Sequence, residues 1–315
     1  MLHMYQKERA DMDQKTIKVY SAALLFSFLV GFSFIGVKSI TSIGSTLEIL
    51  AFRYDFAFLA TLFVLLARKK GFRIPAGNRR DLILTAAFYI LFMILQAAGL
   101  VYTTSIVSGI IFALIPIIAK IIAEIFLKER STWVQNGFVL LSVGSLIVMI
   151  IKDAAVIDAN IGGILLLLLS STCMAISNVF MRYVRRSFSP LEISFAITFS
   201  GFVIFNLATL ISGIGDQSLS HTLRLFGNPL FVLSTAYLGI FCTLVTAFLA
   251  SYMLANLEAV KATMFGNLST AISLIAGVVV LKEPLHPYHI LCTVLIIIGV
   301  AGVSIAGKKP IRLKG

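Results

Sequence analysis

Apolar residues run along the chain in long stretches, each close to the roughly 20 residues that a helix needs to cross a ~30 Å hydrocarbon layer. The stretches cover 19–40, 46–67, 82–101, 105–127 and 134–151, then 161–181, 191–211, 229–254, 259–281 and 288–306. Short polar segments separate them. The apolar positions are continuous and do not alternate in ~10-residue segments, which argues against a membrane β-barrel. The pattern predicts an all-α membrane protein with ten transmembrane helices and polar tails at 1–18 and 307–315. The first span has no small-residue cleavage site of the secretory kind and is read as retained.

Composition sharpens this picture. The chain is 59% hydrophobic and 13% charged, with a mean hydropathy of +0.99, whereas soluble domains carry about 25% charged residues. The formal net charge of +12 would suit nucleic acid if it lay on one soluble face, but it lies in the short loops, so no nucleic-acid partner is expected. With the N-terminus inside, the cytoplasmic segments hold Lys7, Arg9, Lys15 and Lys18, then Arg68, Lys69, Lys70, Arg73, Arg79 and Arg80. They also hold Lys128, Arg130, Arg182, Arg185, Arg186, Lys308, Lys309, Arg312 and Lys314, against Lys38, Lys152, Arg224 and Lys282 on the other side. The positive-inside bias places both termini in the cytoplasm of a cell-membrane protein. Cys173, Cys242 and Cys292 fall inside apolar stretches and read as small core residues, with neither a disulfide framework nor a zinc spacing.

The chain also resembles itself. Thr46-Leu47-Glu48-Ile49 matches Pro190-Leu191-Glu192-Ile193 at an offset of 144 (46 to 190), a register that pairs Ser27 with Ser171 and Lys38 with Arg182. Leu127-Lys128-Glu129 matches Leu281-Lys282-Glu283 at an offset of 154 (127 to 281), so about ten extra residues enter the second half, most simply in the loop at 213–228. Repeats at 19–152 and 161–306 with five spans each must face opposite ways, the inverted-repeat design of many transporters.

Several segments, taken in order, resemble the EamA-type branch of the drug/metabolite transporter superfamily. In the first half they are Leu50-Ala51-Phe52-Arg53-Tyr54, Ala113-Leu114-Ile115-Pro116 and Phe126-Leu127-Lys128-Glu129-Arg130, followed by Gln135 and Gly137. In the second they are Leu257-Glu258-Ala259-Val260, Asn267-Leu268-Ser269 and Leu281-Lys282-Glu283-Pro284, with Gly299 in the last span. Two departures stand out: Thr270 occupies a position that is usually proline, and Lys261 one that is usually small and neutral. The resemblance implies a secondary transporter, with efflux or uptake of an amino acid, an amine or a related metabolite. Coupling to protons or to a counter-substrate stays open. No GxxxxGK[ST] loop occurs and no cofactor is expected. The alternative is a membrane-embedded acyl or phosphoryl transferase, which wants clustered acid, base and nucleophile near an interface. The four histidines, His3, His221, His286 and His289, are scattered, so an enzyme is not the reading preferred.

The candidates for substrate binding or pathway lining are intramembrane polar residues, expensive there and therefore in need of partners. Arg53, about seven residues into the second span, offers a planar fork of donors for a carboxylate or phosphate; it could equally be a structural arginine or snorkel outward. Asp55 lies roughly 200° round the helix from Arg53 and should pair with another helix or accept a proton. Lys120 and Glu124 can pair at i, i+4, which allows either a cavity position or plain packing. Ser170, Ser171, Ser177 and Asn178 form one stripe on the sixth span, either pathway or helix-packing glue. Ser27 and Ser33 on the first span partly mirror it. Tyr102, Tyr237 and Asn267 are further wall candidates. Glu258 and Lys261 are expected at the cytoplasmic interface, and His286 and His289 at a solvated loop end without a metal. Ser105, Gly109 and Ala113 suit close helix contact, and Gly302 and Ala306 a homodimer.

Overall fold

The computed structural model describes residues 2–67, 79–102, 111–128, 131–153, 161–213, 218–281 and 286–306. Its helices are α1 (Leu2–Lys38), α2 (Thr46–Ala67), α3 (Arg79–Tyr102), α4 (Ile115–Phe126), α5 (Trp133–Asp153) and α6 (Ile161–Val184). They continue as α7 (Pro190–Gly213), α8 (Ser218–Leu225), α9 (Pro229–Asn256), α10 (Ala259–Leu281) and α11 (Pro287–Ala306). Among the described residues seven helices are long and apolar enough to cross a membrane, and Trp133–Val148 in α5 is a shorter apolar one. This is a multi-pass membrane protein.

Four expectations need correction. The fourth span is not one helix over 105–127: Ala113 and Leu114 form a turn and α4 starts at Ile115, because Pro116 lacks an N–H and its ring excludes a carbonyl one turn back. Ser105 and Gly109 lie outside the described residues. The 213–228 insertion carries a helix, α8. The segment read as an N-terminal tail belongs to the same continuous helix as the first span. Arg182 is not in a loop but buried near the end of α6. By contrast α10 runs unbroken past Thr270, as expected of a chain with no proline there.

Helix starts follow local chemistry. Ser45 and Glu48 form a capping box, Ser45 N to Glu48 Oε2 at 2.9 Å and Glu48 N to Ser45 Oγ at 3.3 Å. Ser189 and Glu192, 144 residues on, repeat it at 2.6 and 3.3 Å. Thr132 N donates to Gln135 Oε1 at 2.9 Å before α5, and 154 residues on His286 N donates to His289 Nδ1 at 3.2 Å before α11. His289 is thus a buried cap residue, not a solvated loop end.

Packing respects the same two offsets. Exchanging the halves maps α1 to α6, α2 to α7, α3 to α9, α4 to α10 and α5 to α11. Under that exchange the contact of α3 with α6 becomes that of α9 with α1, and α1 with α10 becomes α6 with α4. The contact of α2 with α9 becomes α7 with α3, while α2 with α7 and α5 with α11 map onto themselves. Single bonds obey the mapping too. Ser27 Oγ donates to Phe265 O at 2.8 Å, and its image is Ser171 Oγ to Ile111 O at 3.4 Å. The Tyr54 and Phe205 rings, 5.0 Å apart, image the Thr198 to Thr61 hydroxyl bond of 3.2 Å.

Glycine is required where these helices cross. A Cβ on Gly201 would overlap the Tyr54 ring, and one on Gly302 would overlap the Phe138 ring. Gly302 is therefore committed to the contact of α11 with α5, not to a dimer surface.

Several contacts lack a comparable image among the described residues: α7 also packs on α9 with no matching contact of α2 on α3, and α10 on α11 with none of α4 on α5. α6 meets α9 along Thr246–Asn256, near where both helices end, whereas α1 and α3 make no matching contact. The large core cluster fills that end, which is also the basic end. There Val179, Met181 and Val184 of α6 join Met253, Leu254 and Leu257 at the close of α9 and Val260 and Phe265 of α10. At the opposite end a smaller cluster of Ile40, Ile49, Phe52, Leu225, Phe231, Leu238 and Cys242 ties α8 to α2 and α9.

Candidate functional site

The polar centre of the molecule forms where α2 crosses α9. In α9 the residues Ile240–Val245 make a π turn, which widens the helix and disturbs its regular hydrogen-bond ladder. Thr243 Oγ1 donates to Leu238 O at 3.0 Å and Thr246 Oγ1 to Cys242 O at 2.8 Å. Arg53 enters this turn from α2: its Nε donates to Thr243 Oγ1 at 2.5 Å and its Nη2 to Cys242 O at 3.0 Å. The approach depends on Gly239, whose missing Cβ would strike Arg53 O and Phe56. Cys242 Sγ donates to Leu29 O of α1 at 3.3 Å.

Tyr237 lies one turn before the π segment, beside Phe241, ring centroids 5.8 Å apart. Tyr54 and Tyr89 lie within the field of Arg53, and the buried Tyr54 hydroxyl has no hydrogen-bond partner among the described residues. No carboxylate of the described residues pairs with Arg53. The centre thus presents one cation held by two neutral acceptors, a hydroxyl and a carbonyl. Chemically it can receive an anionic or strongly polar group, because a guanidinium that uses Nε and one Nη2 hydrogen still has donors to offer.

Of the residues singled out from the sequence, Arg53 and Tyr237 come together here. Asp55 points elsewhere, as the helical angle requires, and accepts from Asn206 Nδ2 of α7 at 2.6 Å. Lys120 pairs with Glu124 on its own helix at 2.9 Å. Asn267 donates to Ser142 Oγ at 3.4 Å, joining α10 to α5. Ser170 and Ser177 donate to Phe92 O and Thr85 O of α3, both at 2.9 Å; together with Ser171 they bind α6 to neighbouring backbone, and Asn178 is buried on the same helix. Tyr102 is exposed at the last residue of α3.

Lys261 requires a correction. It is 2% exposed rather than interfacial, and its Nζ donates to Ser304 O at 3.2 Å; Tyr20 OH donates to the same carbonyl at 3.4 Å. Its neighbour Glu258 accepts from Gln135 Nε2 at 3.0 Å. At the opposite end Glu48 Oε1 bonds Thr222 Oγ1 at 2.7 Å and His221 Nδ1 at 3.0 Å, pinning α8 over the start of α2. Sequence reasoning missed Thr243, Tyr54, Tyr89 and the contacts of α8. The Ser45-x-x-Glu48 cap was readable, but nothing in a run of apolar residues announces a π turn.

Comparisons with known proteins agree with this architecture. The model of the EamA-like transporter family matches residues 17–151 and again 161–305. The chain is 38% identical over 298 residues to the "Uncharacterized transporter YcxC" of Bacillus subtilis (strain 168), covering 94% of this chain and 96% of that protein. It is 26% identical over 275 residues to an "Uncharacterized transporter" of Archaeoglobus fulgidus, covering 86% and 92%. A solved crystal structure shares the fold with a TM-score of 0.73 at 13% identity, covering 93% of this chain and 97% of that one. With both halves matched by one family model and a close full-length relative, this chain belongs to the EamA-like transporter family.

Proposed function

We propose that this membrane transporter exports a small metabolite, such as an amino acid or amine, by alternating access of two inverted five-helix repeats. In this reading the protein has ten transmembrane helices, the repeats occupy 19–152 and 161–306, both termini are cytoplasmic, and no enzymatic step is involved. The family resemblance implies efflux or uptake, and export is the direction proposed.

The observation that carries the reading is the unequal pair of contacts. α6 closes on α9 at the basic end, while its image, α1 with α3, makes no comparable contact among the described residues. Two like halves whose matching helix ends meet in one half and not in the other are what a rocking machine shows when it rests in one of its two states. The capping boxes and cross-helix bonds that recur at offsets of 144 and 154 support the repeat itself. Arg53, held against the π turn of α9, is the proposed substrate anchor. Proton or counter-substrate coupling is compatible with the same cycle.

The test is uptake of labelled amino acids and amines by proteoliposomes, with and without a pH gradient or internal counter-substrate. Saturable accumulation or exchange of one compound class is expected. Folded protein that moves none of them, together with turnover of an acyl or phosphoryl donor in detergent, would overturn the proposal.

A further inference from the structure

Arg182 sits one turn from the end of α6 and is 7% exposed. Its Nη1 donates to Leu254 O at 2.6 Å and also to Leu257 O. Those carbonyls close α9, which ends at Asn256, and terminal helix carbonyls lack partners of their own and carry the negative end of the helix dipole. A cation placed there satisfies both. The bond spans the contact between α6 and α9, which has no comparable image in α1 with α3.

We propose that Arg182 is a positioning residue for transport, a latch whose guanidinium holds the terminal carbonyls of α9 and keeps the basic end shut. The inference rests on the alternating-access reading. When the basic end opens, Arg182 and the α9 carbonyls exchange one another for water. As the end closes they trade that water back for a charge-assisted bond in a dry surrounding, where such a bond is strong. Arginine suits this role because it stays charged and each terminal nitrogen carries two hydrogens, so Nη1 alone reaches both carbonyls.

Spin labels test the latch without any substrate. Cysteines placed by Ile17→Cys and Arg80→Cys report the basic ends of α1 and α3, and Ser39→Cys with Tyr102→Cys report the opposite ends. These four positions are exposed, whereas the three native cysteines are buried. In lipid nanodiscs, Arg182→Gln is expected to lengthen the 17 to 80 distance and shorten the 39 to 102 distance, shifting the ratio of the two states by roughly tenfold or more. Arg182→Lys should restore part of the wild-type ratio. Variants that leave both distances unchanged, or that move them in the same sense, would refute the latch while leaving alternating access standing. If wild type and every variant occupy a single state across these conditions, the alternating-access reading falls with it.

Discussion

Replacing Arg53 by Met separates a substrate anchor from a structural arginine. The change removes two hydrogen bonds made by a charged donor, gross losses of about 1.5–3 kcal/mol each. Two features of the site reduce the net cost. Neither acceptor loses its last bond, since Thr243 Oγ1 still donates to Leu238 O and Cys242 O still receives Thr246 Oγ1. Removing an intramembrane cation also returns at least ~2.5 kcal/mol. The net loss of stability should therefore stay below about 3 kcal/mol, and Arg53→Met should fold. Transport should respond differently. A carboxylate or other anionic group held by two charge-assisted bonds loses at least ~3 kcal/mol of binding, a fall of roughly a hundredfold in affinity. Thermal melting in detergent together with initial uptake rates in proteoliposomes measures both quantities on one preparation. Full transport by the folded variant would remove Arg53 from the site. A destabilisation beyond about 5 kcal/mol would instead show a residue whose work is to hold α2 against α9.

Two further substitutions test the packing on which that site depends. Gly201→Ala places a methyl in the Tyr54 ring and should cost about 1–3 kcal/mol by melting, with part recovered when Tyr54→Leu is added; an unchanged melting point would mean that the crossing of α2 and α7 is looser than described. Asn206→Leu takes the donor from Asp55 and should destabilise by about 1–3 kcal/mol, while the added change Asp55→Leu, which removes the stranded carboxylate, should restore much of the loss.

Much of the site was readable only in part. Arg53 could be picked out because charge inside an apolar run is costly wherever it occurs. The angle between Arg53 and Asp55 follows from helix geometry, so their separation could be reasoned from spacing, and the structure gives each a different partner. What joins Arg53 could not be read, because Thr243 is 190 residues away and its position is set by a π turn. Lys261 misled for a related reason. Its place at the start of α10 suggested an exposed helix end, but the close of α11 covers it and Ser304 supplies the bond.

The sequence by itself determined the properties that are local or periodic: membrane character, most span boundaries, the caps at Ser45 and Ser189, and a repeat whose offsets of 144 and 154 reappear as matched hydrogen bonds. Hydropathy, capping and self-similarity each depend on residues within a few turns or on comparison of two segments, so they survive without knowledge of neighbours. The tertiary structure alone decided which carbonyl each buried cation meets and that α6 closes on α9 without an equal closure of α1 on α3. In a membrane interior, where water cannot serve as a general partner, the role of a polar side chain is set by the helix packed beside it, and that choice belongs to the assembled bundle.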